Sequence, residues 1–217
     1  MDTLAKLIEQ FRQFPGIGPR QARRFVYFLL AQPASTREDL AGLVRELSKQ
    51  IRTCTSCFRF FPIGVKASAE CAICSSSERD RTSLLVVCRD ADFEHIEKSH
   101  TFNGTYFILG GAVPILEKNP ENRIRAKELV ATLEKRAKAE ATKADSAGVP
   151  IPLKEVILAL NATPEGENTQ FFIEHLLEPL VAKYSLKIST LGRGLSTGLE
   201  LEYSDSETLK NALKNRT

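Results

Sequence analysis

The sequence has no apolar run long enough to cross a bilayer, and its N-terminus lacks the apolar core of a signal peptide. We therefore expect a cytoplasmic protein. It also has no large excess of charge, since the formal net charge of the 217 residues is only +3. A total this small excludes no class of partner, so the distribution of the charges is more informative.

Catalytic signatures are missing as well. The three histidines, His95, His100 and His175, have no spacing that indicates a catalytic base or a metal pair. The sequence contains no Ser/His/Asp or Cys/His arrangement and no Walker-type phosphate-binding loop. Enzymes that depend on these signatures are therefore not indicated.

A turn with two glycines, Gly16 and Gly18, lies between two apolar segments of helical spacing. Glycine allows a tight turn and a close approach of backbone N–H groups to an anion. The second helix, predicted to begin near Pro19, directs the positive end of its dipole to the same place. Three arginines lie in its first two turns: Arg20, Arg23 and Arg24.

Positive charge is concentrated in the same part of the chain. Residues 1–60 contain ten Lys and Arg against five Asp and Glu, a net charge of +5. We predict that the glycines and the arginines of the turn bind the phosphate backbone of a nucleic acid without reading its base sequence. The alternative is a plain turn between packed helices, with the arginines facing water.

Residues 1–53 are predicted to form a small helical module. Apolar positions at helical spacing place one helix over residues 3–12 and a second over about 19–31. A third helix is expected to begin at Ser35, because Ser35 and Glu38 form a capping-box pattern.

Four of the five cysteines have the spacing of a metal site. They form two Cys-x-x-Cys pairs separated by thirteen residues: Cys54, Cys57, Cys71 and Cys74. Four thiolates can surround one zinc ion as a tetrahedron and leave no coordination position for water. We therefore predict one structural zinc per chain, in a zinc finger over residues 54–79, with a redox role for one pair as the alternative. The fifth cysteine, Cys88, is expected to be a buried apolar residue.

From residue 80 the sequence alternates between strand and helix patterns. Short apolar runs predict four strands: 84–88, 106–109, 155–160 and 186–191. Helical segments lie between them: about 91–99, an extended helix over about 120–144, and 167–183, which Pro179 should kink or shorten. The alternation predicts an α/β domain over residues 80–192 with a mostly parallel sheet, followed by a short segment over residues 193–217. The fold class is therefore α+β with several domains.

The loop after the third of these strands carries two carboxylates, Glu165 and Glu167. Open α/β sheets bind ligands at the carboxyl ends of their strands, so this pair could hold Mg²⁺ beside a phosphate. Phosphoryl transfer needs further carboxylates nearby, yet Cys88 and Arg89 stand at the end of the first strand. We therefore favour the alternative that the glutamates cap the next helix, and we expect no magnesium.

Taken in order, these motifs resemble the bacterial RecR family of recombination mediators over nearly the whole chain. The glycine turn matches the family's helix-hairpin-helix signature, which makes residues 1–53 a DNA-binding module by resemblance. The four cysteines match the family's zinc finger, and residues 80–192 resemble its Toprim domain. Three further strings are similar to those of the family: Leu109-Gly110-Gly111-Ala112, Asn161-x-Thr163-x-Glu165-Gly166-Glu167 and Arg193-Gly194-Leu195-x-x-Gly198.

The resemblance implies a non-enzymatic DNA-binding protein of recombinational repair. Members of the family form a ring-like tetramer through their terminal regions and act with RecO and, in many bacteria, with RecF. Together they help to load the RecA recombinase onto single-stranded gaps. By matching position, Arg20 and Arg24 would face duplex or gapped DNA, and residues 193–217 would serve oligomerisation.

The sequence departs from the family pattern in three places. A glutamate expected after the first Toprim strand aligns with Cys88 or Arg89, an aspartate of the tail is Glu200, and the helix over about 120–144 is longer than usual. The first departure makes a Mg²⁺-dependent Toprim nuclease or primase-like enzyme the second-ranked alternative. A zinc-ribbon adaptor that binds only protein ranks third, because it leaves the glycine turn unexplained.

Overall fold

The computed structural model of the chain describes residues 2–64, 68–138, 152–192, 194, 195, 198 and 200–214. The chain divides into two compact units, residues 1–52 and residues 53–217. In the part of the chain that the structure describes, no helix combines the length and the apolar character that a membrane span requires.

The first unit consists of three helices: α1 (Thr3–Arg12), α2 (Pro19–Ala31) and α3 (Ala34–Gln50). α1 and α2 pack against each other as a hairpin. The ring of Phe11 in α1 meets the ring of Phe25 in α2 edge-on, with 5.8 Å between the ring centroids. On α2, Ala22 and Val26 are buried. This contact holds the connecting turn, which contains both glycines, at the closed end of the hairpin.

The start of α3 differs from the prediction. Pro33 is the N-cap residue and no side chain caps the helix, so the predicted capping box at Ser35 is wrong. Instead, the guanidinium of Arg37 donates hydrogen bonds to the carbonyl oxygens of Leu29 and Gln32 at the end of α2. Arg37 therefore satisfies acceptors that the last turn of α2 leaves open.

The second unit begins with short elements around the cysteines and continues into a parallel sheet. β1 (Ile51–Thr53) and β2 (Phe60–Pro62) form a two-stranded sheet, and the short helix α4 (Ala72–Ser75) follows. The larger sheet has four strands: β3 (Ser83–Val87), β4 (Thr105–Ile108), β5 (Glu155–Ala159) and β6 (Lys187–Thr190). Their order is β4-β3-β5-β6 and all neighbours are parallel, which confirms the predicted fold class.

In the described part of this region, the longer helices are α5 (Asp90–Ser99), α6 (Ala126–Ala137), α7 (Pro164–Tyr184) and the C-terminal α8 (Ser206–Lys214). Alternate residues of β3 supply both faces of the core, because successive side chains of a strand point to opposite sides. Leu84 and Val86 join α6 and α7, whereas Leu85 and Val87 join Phe93 of α5. Both faces are covered, as expected for a parallel sheet.

The helix predicted over about 120–144 begins later than expected. Pro120–Asn122 form a single 3-10 turn, and α6 begins only at Ala126. The backbone N–H of Arg125 donates to the carbonyl of Leu109, the residue after β4, at 2.8 Å. This hydrogen bond fixes the position of Arg125, and the helix begins at the next residue. α6 ends at Ala137, and residues 139–144 of the predicted helix lie outside the described residues.

Pro179 does not shorten α7. The helix runs from Pro164 to Tyr184, three residues longer at its start than the sequence predicts. Pro179 and His175, four residues before it, are both exposed. The carbonyl that loses its hydrogen bond to the proline therefore faces water, which limits the cost of the proline.

Candidate nucleic-acid interface and metal centre

The glycine turn closes the α1–α2 hairpin with two different backbone conformations. Gly16 has a φ of +75°, in the left-handed region that favours glycine. The N–H of Ile17 donates to the carbonyl of Phe14 at 3.1 Å and completes the turn. Gly18 is the N-cap of α2 with an ordinary extended φ of −81°, and Pro19 occupies the first helical position.

The space around both glycines is open. A Cβ atom placed on Gly16 or Gly18 would meet no atom of the chain within 4 Å. The backbone conformation accounts for glycine at position 16, but neither conformation nor packing requires it at position 18. Glycine at position 18 therefore leaves room for something outside the chain to approach the first turn of α2.

The three predicted DNA-binding arginines follow this opening in the first two turns of α2. Arg20, Arg23 and Arg24 are exposed, and none of them has a hydrogen bond or ion pair with another described residue. The first turn of α2 contains no acidic residue. Since residues four apart lie on the same side of a helix, Arg20 and Arg24 present their charges together. The turn thus offers unpaired charges beside the N–H groups of a helix start.

The four cysteines with metal-ligand spacing come together in the second unit. Cys54, Cys57, Cys71 and Cys74 are all buried, and their sulfur atoms lie within 4.8 Å of one another. The sulfurs of Cys57 and Cys71 are 3.7 Å apart. A tetrahedral zinc ion with Zn–S bonds of about 2.3 Å separates its sulfurs by about 3.8 Å. The four-cysteine cluster therefore has the donor set and the dimensions of a zinc site.

Backbone groups hold the cluster in shape. The N–H of Cys71 donates to the sulfur of Cys54 at 3.3 Å, and the N–H of Cys54 donates to the carbonyl of Arg59 at 2.9 Å. Hydrogen bonds from the Cys57 and Cys71 thiols hold the pKa of Cys54 well below its usual range, and contact with Cys54 raises the pKa of Cys74. A metal that binds all four cysteines as thiolates would displace their protons.

The residues after Cys57 fasten the cluster to the parallel sheet. The N–H of Ile108, at the end of β4, donates to the carbonyl of Cys57 at 2.9 Å. Phe58 adopts a left-handed φ of 63°, and its ring packs against Phe107 with 5.2 Å between centroids. The guanidinium of Arg59 lies 4.6 Å from the ring centroid of Phe93 in α5. The geometry of the cluster is thus coupled to the core of the sheet.

The carboxyl edge of the sheet carries few free carboxylates. Cys88, at the end of β3, is buried as predicted, and its burial raises the pKa of its thiol to about 11. The carboxylate of Asp90 accepts from the N–H of Phe60 at 2.8 Å, and that of Asp92 accepts from the N–H of Arg89 at 2.9 Å. The carboxylates of both aspartates near this edge are therefore used as acceptors of backbone hydrogen bonds.

Glu165 and Glu167 are in the exposed first turn of α7. The cap of this helix is the hydroxyl of Thr163, which accepts from the N–H of Gly166 at 3.2 Å. Among the described residues, the four-cysteine cluster is the only group of three or more His, Cys, Asp or Glu side chains close enough to share a metal. The two glutamates are thus not joined there by further carboxylates.

Comparison with known proteins gives the same order of segments. Residues 4–47 match the model of the RecR helix-hairpin-helix, residues 82–191 match the Toprim domain, and residues 194–217 match the RecR C-terminal segment. The chain is 36% identical to "Recombination protein RecR" of Chlorobium limicola over 99% of its own length and 96% of the relative. Proteins of the same name from Prochlorococcus marinus and Lactobacillus johnsonii are 34% and 31% identical, again over 99% of this chain and 95% and 96% of theirs.

The chain belongs to the RecR family. The resemblance drawn from the sequence motifs is therefore confirmed, as is the presence of a helix-hairpin-helix and a Toprim domain. The family is one of recombination and repair proteins.

Two arginines beside the cluster were missed by the sequence reasoning. Arg81 and Arg136 line a cavity of about 210 Å³ together with Cys74. Burial and the neighbouring Arg81 lower the pKa of Arg136 to about 10, so its guanidinium stays charged at neutral pH. No pattern in the sequence joins these residues, since they are 55 positions apart and only the fold of the sheet brings them together.

Proposed function

We propose that the chain is a non-catalytic protein of recombinational repair that binds DNA through Gly16, Gly18, Arg20, Arg23 and Arg24. The observation that carries this proposal is Gly18, a glycine that neither the backbone nor the packing of the chain requires. It stands directly before a helix whose first residues add exposed, unpaired arginines. An anion that approaches the backbone closely explains both features.

The ligand that fits this turn best is a phosphate of the DNA backbone. The first N–H groups of a helix have no partner within the helix and carry the positive end of its dipole. Arg20 and Arg24 can add charge on either side of the same phosphate group or on its neighbour. No base edge is needed for such contacts, so the binding is independent of sequence and weakens steeply with salt.

Substitutions of Gly18 and Gly16 distinguish an effect on DNA affinity from an effect on folding stability. Gly18→Ala should lower the thermal midpoint only slightly, because the new methyl group meets no atom of the chain and only the preference of the N-cap for glycine over alanine is lost. It should weaken DNA binding roughly tenfold or more, the effect of losing one charge-assisted hydrogen bond of about 1.5–3 kcal/mol. Fluorescence anisotropy with a labelled duplex measures the affinity, and calorimetry measures the midpoint.

Gly16→Ala serves as the comparison for folding stability only, because Gly16 also belongs to the proposed binding turn. It forces a side chain into a positive φ and should cost about 1 kcal/mol of folding stability. If Gly18→Ala binds DNA as tightly as the wild type, the close approach of a phosphate to this turn is wrong.

The residues at the carboxyl edge of the sheet favour a function without catalysis. A magnesium-dependent Toprim reaction needs several carboxylates at the carboxyl ends of the strands. Here the buried Cys88 and the exposed Arg89 follow β3, whereas Asn161 follows β5. We propose that Glu165 and Glu167 contact a protein partner rather than Mg²⁺.

Apolar surfaces support assembly into a clamp-like oligomer. Within the first unit, the three helices line a groove of about 900 Å³, almost entirely apolar. α3 exposes four large side chains: Leu40, Leu43, Val44 and Leu47. The C-terminal segment exposes four more: Leu195, Leu201, Tyr203 and Leu213. Surfaces of this kind usually mark contacts between proteins, and both ends of the chain would join copies into a tetrameric ring.

The division into a DNA-binding module, a zinc finger, a Toprim domain and a C-terminal oligomerisation segment belongs to the same proposal. The four-cysteine cluster would hold one structural zinc per chain, because four sulfurs leave no site for a reacting water. In the cytoplasm, the ring would act with RecO and, as in many bacteria, with RecF in loading RecA onto single-stranded gaps. Family membership supports these partners.

A further inference from the structure

We propose that Arg81 and Arg136 of the Toprim region balance the charge of the four-cysteine site and thereby raise its affinity for zinc. The inference rests on the proposed zinc. Four thiolates around one divalent ion leave two negative charges uncompensated. These charges lie in a cluster whose cysteines are at most 5% exposed, where unpaired charge is costly.

The zinc-finger segment itself offers little compensation among its described residues. Arg59 lies over the ring of Phe93 and donates to a carbonyl, so its charge is directed to α5. Arg79 is paired with the carboxylate of Glu97. The remaining cation of residues 54–79, Lys66, lies outside the described residues.

Arg81 reaches the cluster from the start of the sheet. Its Nη2 donates to the carbonyl oxygen of Cys74 at 3.1 Å and to that of Ser76 at 2.6 Å. The guanidinium thus closes over the loop that carries the fourth sulfur. Neither acceptor is charged, so these bonds leave the positive charge of Arg81 uncompensated.

Arg136 supports the same position from α6. Its Nη2 donates to the carbonyl of Arg81 at 2.7 Å, and its Nη1 donates to the hydroxyl of Thr105 at 2.8 Å. The neighbouring Arg81 repels its guanidinium, whereas Asp80 attracts it. Two guanidinium groups therefore share one cavity with a cysteine ligand.

The carboxylates near this cavity are engaged with other groups. The oxygens of Asp80 accept from Thr82 and Ser83, and Glu70 accepts from the hydroxyl of Ser56. Within the described ranges, neither Arg81 nor Arg136 forms an ion pair with a carboxylate. Arg81 and Arg136 are two partly buried cations without an ion pair, and Asp80, which attracts Arg136, offsets at most one of their charges. They lie beside a site with two excess negative charges, so the opposite charges stabilise each other.

Zinc affinity measured by competition with a chromophoric chelator tests this pairing under reducing conditions. Arg81→Gln and Arg136→Gln remove the charge and keep N–H donors, so each should weaken zinc binding about 10–100-fold, as loss of groups that support metal ligands usually does. Arg81→Lys and Arg136→Lys keep the charge and should stay within a few-fold of the wild type. Lys135→Gln removes an exposed charge from the same cavity wall and is the matched control.

Cobalt substitution gives a second readout, because its visible spectrum should show tetrahedral thiolate ligation in every variant. Gln variants that bind zinc as tightly as the wild type would overturn the proposal. So would Lys variants as weak as the Gln variants, since hydrogen-bond geometry would then matter rather than charge. If Arg136→Gln does not fold, the comparison of Arg81→Gln with Arg81→Lys tests the proposal by itself. A wild-type chain that binds no zinc would refute the zinc proposal itself, and this one with it.

Discussion

Replacing Arg20 and Arg24 together by alanine should weaken DNA binding by an order of magnitude or more while leaving the fold intact. Both side chains are exposed and without partners in the described structure, so their loss removes no intramolecular contact. Each phosphate contact to duplex DNA contributes about 0.9 to the slope of log affinity against log salt. The double variant should therefore lower this slope by about 2 for each chain that engages DNA.

A control with the same change in charge makes this result specific. Lys6→Ala combined with Arg52→Ala removes two exposed cations from the same part of the chain but away from the turn. This pair should change the affinity and the salt slope far less. Equal effects of the two double variants would indicate that DNA binds to a diffuse basic surface rather than through phosphate contacts at the glycine turn.

Removal of zinc should unfold the four-cysteine segment and loosen the sheet beside it. Structural zinc sites contribute about 10–16 kcal/mol of apparent binding energy, which equals or exceeds the total stability of a typical domain, about 5–15 kcal/mol. The loss should spread to β4, because the N–H of Ile108 is bonded to the carbonyl of Cys57 and Phe107 packs on Phe58. Hydrogen exchange of the Ile108 amide, before and after chelation, measures this coupling.

Two cysteine variants distinguish a metal site from general sensitivity to cysteine replacement. Cys71→Ser should abolish the binding of one zinc per chain, whereas Cys88→Ser should retain it because Cys88 is buried outside the cluster. Elemental analysis of protein purified under reducing conditions counts the metal. Wild-type protein without zinc, or an unchanged count in Cys71→Ser, would contradict the structural role.

Local patterns predicted the elements of this fold well. The continuous apolar run of β3 indicated a strand buried on both faces, and Leu84 to Val87 are all buried in the parallel sheet. The repeated Cys-x-x-Cys spacing likewise brought four sulfurs together. In both cases neighbouring residues supply the signal, because strand burial and the metal knuckles are formed within a few positions of the chain.

Features that depend on distant residues could not be read from the sequence. The start of α6 is set by a hydrogen bond from Arg125 to Leu109, which belongs to the end of another strand. The meeting of Arg81 and Arg136 depends on how α6 lies against the sheet. Gly18 was visible as a motif, but only the open space around it shows that the fold does not need a glycine there.

The most direct test of the central claim is the mass of the protein in solution, measured by light scattering with and without gapped DNA at low salt. We predict a defined oligomer that forms a complex with DNA, and a loss of assembly when Leu43→Lys and Leu47→Lys charge the exposed face of α3. Repetition of a weak phosphate grip around the oligomer should raise the avidity for DNA, so this variant should also bind DNA more weakly. A monomeric wild-type chain with no DNA complex at low salt would contradict the account.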